Sequence, residues 1–283
     1  MTLTVFLMVL LAAAIHASWN ALVKSTGDKV VSMTAVTVGH APLALLAMPF
    51  VPMPKIEALP YLIGSVFIHT GYQLALMLAY RLGDFTQVYP IARGSGPALV
   101  MLFSVFVLGI AFSAPQLAAV ALVVAGIFCL ALLRQTDGLR NPQAVGAALM
   151  TGCFIASYSV VDGLGARAAG SAVGYIAWMT TINALVFAII IGIVNRPALK
   201  AVFTQPQAQR TFVFGGAGSV LAYVMVVWAM TQAPIALVTA LRETSTVFAL
   251  FLGVVFLKER LTIGKVVATV LVLSGVLLLR MNG

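Results

Sequence analysis

Long apolar stretches decide what this chain can become. Ten of them occur, at roughly residues 3–22, 31–51, 59–80, 86–109, 114–133, 143–165, 172–194, 211–231, 235–257 and 262–280. A helix of about 20 residues crosses the roughly 30 Å hydrocarbon layer, and it satisfies its own backbone where no water can. The connections "FVPMPKIEALP", "TDGLRNPQ" and "NRPALKAVFTQPQAQR" combine Pro, Gly, Asn and charge, which end helices and prefer water. The expectation is an all-α membrane protein with ten transmembrane helices.

Composition removes the competing classes. Only 8% of the residues are charged and 62% are apolar, against about 25% charged in soluble domains. Within 283 residues such spans leave no room for a separate soluble domain. The net charge of +9 comes from single Lys and Arg residues at span ends, not from a tract, so membrane phosphates are the expected neighbours and nucleic acid is not. Cys129 and Cys153 both fall in apolar segments and read as core residues, not as a disulfide or metal pair. Three histidines are too few for a metal centre. No H-E-x-x-H, G-x-S-x-G or P-loop is present, so no metal, cofactor or enzymatic activity is expected. No Lys or Arg precedes Lys24, and the first apolar segment is therefore kept as a span and not read as a cleaved signal.

Internal similarity suggests two halves. A shift of 149 lays "RGSGPALVMLFSVFVLGIAFSAPQLAAVALVVAGIF" over "RETSTVFALFLGVVFLKERLTIGKVVATVLVLSGVL", placing Arg93 on Arg242, Ser113 on Thr262 and Gly126 on Gly275. A shift of 139 lays "HASWN" over "IASYS". Residues 1–135 and 142–283 then form two repeats of five spans. Because five is odd, the second must enter the bilayer from the opposite face. Inverted repeats around a central cavity are a recurring design of secondary transporters.

The charged residues inside spans carry the chemistry. Arg93 and Arg242 each lie about seven residues into a span, hence about 10 Å deep. A cation at the bilayer centre costs at least about 2.5 to 3.5 kcal/mol, so each needs a partner or a wet cavity. One reading makes them glue, bonded to backbone carbonyls or Glu243. The other has them receive an anionic solute, for which the planar guanidinium fork is suited. Pro90, Gly94, Gly96 and Pro97 loosen the helix around Arg93. Glu243 is the carboxylate deepest within a span, and it is the candidate for coupling proton movement to solute movement. It need not pair with Arg242, since successive helical residues point about 100° apart. Asp162 is read as nearer a span end, capping or reaching water.

Two polar faces accompany the arginines. His16, Trp19 and Asn20 share one helix face, as do His69, Tyr72 and Gln73. Both trios are substrate-binding candidates, although Asn20 and Gln73 equally suit bonds between helices. Tyr89 and Tyr158, with Trp178, Tyr223 and Trp228, could form an aromatic wall or interface anchors. His40 reads as a satisfied core histidine, and "GGAGS" at 215–219 as a close helix contact.

The stretch "VFALFLGVVFLKERLTIGKVVATVLVLSGVLLL", residues 247–279, resembles the end of an EamA repeat of the drug/metabolite transporter superfamily, with Lys258, Glu259 and Arg260 in its turn. "IHASWNALVKS" is similar to that family's opening span. The first half departs from the pattern, because Ile110 and Ala111 stand where the second half has Glu259 and Arg260. The resemblance implies ten helices as two inverted five-helix repeats around a central cavity, export or exchange of small metabolites, and termini in the cytoplasm. Counting Lys and Arg gives eleven on the odd-numbered connections and three on the even side with the termini, which by itself places the termini outside. Orientation stays open at this stage.

These readings converge on a secondary transporter, an exporter or exchanger, of a small anionic or zwitterionic metabolite such as an amino acid, organic acid or phosphonate. It would work by alternating access in a bacterial inner membrane. One alternative is an exporter of cationic or apolar drugs with Glu243 as the recognition residue. Another is a non-transporting scaffold or a lipid-processing enzyme.

Overall fold

The computed structural model describes residues 1–24, 28–83, 85–133, 141–255 and 262–282. Fourteen α-helices make up the described chain: α1 (Leu3–Lys24), α2 (Lys29–Val38), α3 (His40–Ala47), α4 (Leu59–Leu82), α5 (Phe85–Phe106), α6 (Ala114–Leu133), α7 (Pro142–Ala169), α8 (Ala172–Val194), α9 (Arg196–Thr204), α10 (Pro206–Arg210), α11 (Gly216–Gln232), α12 (Ile235–Arg242), α13 (Ser245–Val255) and α14 (Ile263–Asn282). No strand occurs among the described residues. Among the described residues, eight helical segments are long and apolar enough to cross a membrane, where ten spans were expected; Pro90–Phe106 and Ala114–Cys129 are shorter apolar helices. The Lys258, Glu259 and Arg260 turn lies outside the described residues.

Side chains that occupy the open backbone groups fix the helix starts. Asp28 Oδ1 accepts the backbone N–H of Val30 at 2.8 Å and of Val31 at 3.2 Å. Asn141 caps α7 in the same way, with Pro142 in the first turn, where its missing N–H costs nothing. The Nδ2 of the same side-chain amide donates to the Leu82 carbonyl at 2.7 Å, which pins the start of α7 to the end of α4. Large apolar side chains such as Leu3, Leu7 and Leu11 remain exposed along one face of α1, as expected where lipid is the solvent.

Two expected spans are interrupted. The segment read as 31–51 bends at Gly39 between α2 and α3, where a Cβ would lie 2.1 Å from the Phe212 carbonyl oxygen. Gly216 meets Gly39 from the other side, and its own Cβ would come within 2.5 Å of the Gly39 backbone. Only two glycines permit this crossing. The segment read as 235–257 breaks at Glu243 and Thr244 into α12 and α13. There the backbone switches to tighter bonds, Glu243 N–H to Ala240 and Thr244 N–H to Leu241, each at 3.1 Å. The Thr244 and Thr246 hydroxyls take up the Leu241 and Glu243 carbonyls at 2.9 and 2.8 Å.

The packing brings distant parts of the chain together. α4 and α5 lie on α7, α1 lies on α11, α12 and α13, and α6 lies along α14. Gly126 and Gly275, matched in sequence by the 149 shift, both serve that last contact. A Cβ on Gly126 would be 2.8 Å from the Ala268 carbonyl oxygen, and one on Gly275 2.6 Å from that of Ala119.

Candidate functional site

The helices surround a cavity of about 200 Å³, to whose wall α1, α2, α3, α4, α5, α7, α8, α11 and α12 contribute. Its lining reaches Lys29 and Tyr80, which also border a surface groove with Asp28 and Arg81. The cavity therefore opens toward the face where α2 begins and α4 ends. At the opposite end of α7, Arg167 donates to the Met230 carbonyl from Nε at 3.0 Å and to that of Ala233 from Nη2 at 2.9 Å. That clasp ties α7 to the C-terminal end of α11 beneath the cavity.

Most of the residues singled out in the sequence meet here. His16, Trp19, Asn20, His69, Tyr72, Gln73, Arg93, Tyr158 and Arg242 all line the cavity. The side chain of Tyr89 lies outside the described residues. Trp178 and Trp228 do not line the cavity and pack in an apolar cluster with Tyr175 and Val227. His40 does line it, and neither of its ring nitrogens has a hydrogen-bond partner. The reading of a satisfied core histidine is thus corrected: His40 faces the cavity, with no hydrogen-bond partner for its ring among the described residues.

The two arginines differ in what they already hold. Arg93 Nε donates to Glu243 Oε2 at 3.0 Å, and its Nη2 donates to the Ser245 hydroxyl at 3.0 Å. Glu243 is 0% exposed and Arg93 6%, so the ion pair has little water around it. Pro97, four residues past Arg93, carries no N–H for the Arg93 carbonyl and loosens α5 at this point. Arg242 sits 3.6 Å from Glu243 Oε1, because the break after α12 turns the two side chains toward each other. The expectation that the two need not pair was based on an unbroken helix; here they form a 3.6 Å ion pair without a hydrogen bond. That distance is too long for a hydrogen bond. Arg242 Nε and Nη2 remain buried without hydrogen-bond partners among the described residues, although the residue is only 4% exposed. Two cations and one carboxylate leave one positive charge, and the unsatisfied guanidinium atoms belong to a residue of the cavity wall.

A second polar cluster departs from the sequence reading. Asp162 is 0% exposed, not at a span end in contact with water, because α7 continues to Ala169. His69 Nε2 lies 2.9 Å from its Oδ2, the Tyr175 hydroxyl donates to Oδ1 at 3.1 Å, and the Tyr223 hydroxyl donates to Oδ2. Tyr158 stacks on His69 with ring centroids 4.4 Å apart and planes at 20°. Asp162 was legible only as a charge in an apolar segment; its partners come from α4, α8 and α11. Elsewhere on the wall, Gln73 Nε2 donates to Asn183 Oδ1 at 2.9 Å and Asn183 Nδ2 to the Thr70 hydroxyl at 3.1 Å. Gln73 thus joins helices as well as lining the cavity. Asn20 donates to the His16 carbonyl on its own helix at 2.9 Å.

A solved crystal structure of a protein aligns over 99% of both chains with a TM-score of 0.83 at 17% sequence identity. At that identity the likeness is one of fold. Comparison with curated proteins returned no match. Residues 143–281 match the EamA-like transporter family. The second half of the chain thus carries the sequence of the EamA-like transporter family, and the chain as a whole is a multi-pass membrane protein.

Proposed function

We propose that this protein is a secondary transporter of a small anionic or zwitterionic metabolite, and that Arg242 receives the solute's anionic group. The observation that carries this reading is the unmatched guanidinium. Arg93 is neutralised by Glu243, whereas Arg242 keeps two buried N–H-bearing atoms without acceptors beside the cavity. A carboxylate or phosphonate supplies the missing acceptors in a bidentate geometry. Trp19 Nε1 and the His40 ring are also without hydrogen-bond partners, and they suit the solute's remaining polar atoms. His16, His69, Tyr72 and Tyr158 shape the walls around it. Glu243 couples the two arginines, since an arriving anion competes with it for the same charges. The cavity of about 200 Å³ falls below the roughly 300 to 1,000 Å³ typical of drug-sized sites, which favours a metabolite over a drug.

The movement is alternating access between residues 1–135 and 142–283, acting as inverted five-helix repeats. Support comes from paired contacts: α7 packs on α4 and α5 as α1 packs on α11, α12 and α13, while α6 meets its counterpart α14. Export or exchange across a bacterial inner membrane fits this reading.

The test is solute flux in proteoliposomes with radiolabelled amino acids and dicarboxylates. Arg242→Gln should abolish or severely reduce flux while the protein stays inserted, and Arg93→Ala should reduce it too. Undiminished flux in both variants would remove the charge-reading mechanism. Competition by amines but not by carboxylates would transfer recognition to an acidic residue.

A further inference from the structure

We infer that Asp162 and His69 form a proton-binding site at the cavity wall and that this pair, not Glu243, exchanges the proton during transport. The inference rests on the transporter reading above. It begins with the contrast between two fully buried carboxylates. Glu243 faces Arg93 and Arg242, whose guanidiniums stay charged at every accessible pH, so its own charge is fixed. Asp162 has no such partner. Its ion-pair partner among the described residues is His69, and its remaining contacts are the hydroxyls of Tyr175 and Tyr223.

A carboxylate removed from water costs several kcal/mol unless it is paired or protonated. With one proton on the pair, either the imidazole holds it and the two form an ion pair, or the carboxyl holds it and both are neutral. When that proton leaves toward the cavity, the Tyr175 and Tyr223 hydroxyls that donate to Asp162 hold the carboxylate, so the pair can release and regain it.

The geometry supplies a route. His69 and Tyr223 line the cavity, whereas Asp162 lies behind them. A proton from cavity water charges the His69 ring and is passed along the 2.9 Å contact to Asp162. Tyr158, stacked on the imidazole, holds its plane. Other elements that pack on α7 bring further groups: Tyr175 from α8, Tyr223 from α11, and Arg93 and Arg242 of α5 and α12 on the cavity wall. Farther along α7 itself, Arg167 is engaged by backbone carbonyls.

The site also crosses between the halves. His69 belongs to residues 1–135, while Asp162, Tyr175 and Tyr223 belong to residues 142–283. A rearrangement that parts the halves withdraws the imidazole, and Asp162 must then carry the proton itself. Proton occupancy and conformation are linked in this way.

Infrared difference spectroscopy of the full chain in liposomes without solute tests the site directly. Wild type should show a protonated-carboxyl C=O band that grows as the pH is lowered. Asp162→Asn should remove that band, and His69→Gln should move its midpoint. Absence of any titrating carboxyl band in wild type, or its survival in Asp162→Asn, overturns the site. Asp162→Glu, with a displaced rather than missing band, guards against a misfolded Asn variant. Counterflow of radiolabelled amino acids and dicarboxylates forms a separate arm. If wild type moves none of them, the transporter reading fails while the titration still reports on the pair. Where flux is found, a gradient of one pH unit supports about tenfold accumulation for one proton per solute. Asp162→Asn should keep counterflow and lose that accumulation; accumulation undiminished in the variant refutes the role.

Discussion

The Arg93, Glu243 and Arg242 trio assigns different tasks to side chains of one type. Arg93→Ala leaves Glu243 buried with its hydrogen-bonded cation gone and only the 3.6 Å contact to Arg242 remaining, and removing one member of a buried pair costs about 3 to 5 kcal/mol. A marked fall in the thermal unfolding temperature of the detergent-purified variant is expected. Arg242→Gln gives up only the looser 3.6 Å ion pair with Glu243 and no hydrogen bond, so its unfolding temperature should fall less than that of Arg93→Ala. Thermal melts of the two variants check this, and an equal fall in both would show that Arg242 also holds the fold. Anionic solutes should raise the melting temperature of wild type and fail to do so in Arg242→Gln, since ligand binding to the folded state appears as stability.

At the scale of elements, the bend at Gly39 and the crossing at Gly216 depend on absent side chains. Gly39→Ala forces a Cβ toward the Phe212 carbonyl, and overpacking of this kind costs about 1 to 3 kcal/mol. Gly64→Ala and Gly146→Ala place their methyl groups where nothing lies within 4 Å. Thermal melts should therefore show a clear loss for Gly39→Ala and for Gly216→Ala, with Gly64→Ala and Gly146→Ala close to wild type. The break between α12 and α13 has a different origin. Hydroxyls of Thr244 and Thr246 compete for carbonyls that a regular helix would use, and the bend carries Glu243 to Arg93. Apolar content made residues 235–257 readable as a span. The interruption left only the "RETST" cluster as its trace, because side-chain competition within a helix is decided by what waits across the gap.

For the whole molecule, the cavity reaches one face and the Arg167 clasp holds the other. Hydrogen bonds from a charged donor contribute about 1.5 kcal/mol or more each, so Arg167→Ala should favour opening on that side. In a background with Cys129→Ala and Cys153→Ala, an Ala58→Cys thiol buried near that end should react with a polar maleimide about tenfold faster or more once Arg167 is removed. An unchanged labelling rate would show that the clasp is not what closes this face.

Much of the site was legible before the fold. Arg93, Arg242, His16 and His69 stood out because polar groups in an apolar span are expensive and must face something that repays them. Asp162 and His40 were placed wrongly for the same reason that the others were placed well: cost shows that a partner or a cavity is required, but not where it is. The sequence by itself determined that the chain is helical throughout its long apolar segments, since this follows from the local demand that every backbone group in hydrocarbon be satisfied. Only the tertiary structure decided which arginine hydrogen-bonds Glu243, which keeps guanidinium atoms without hydrogen-bond partners among the described residues, and that Asp162 meets His69. Those pairings join residues 93 to 150 positions apart in the chain, and contacts at such separations are set by how helices cross.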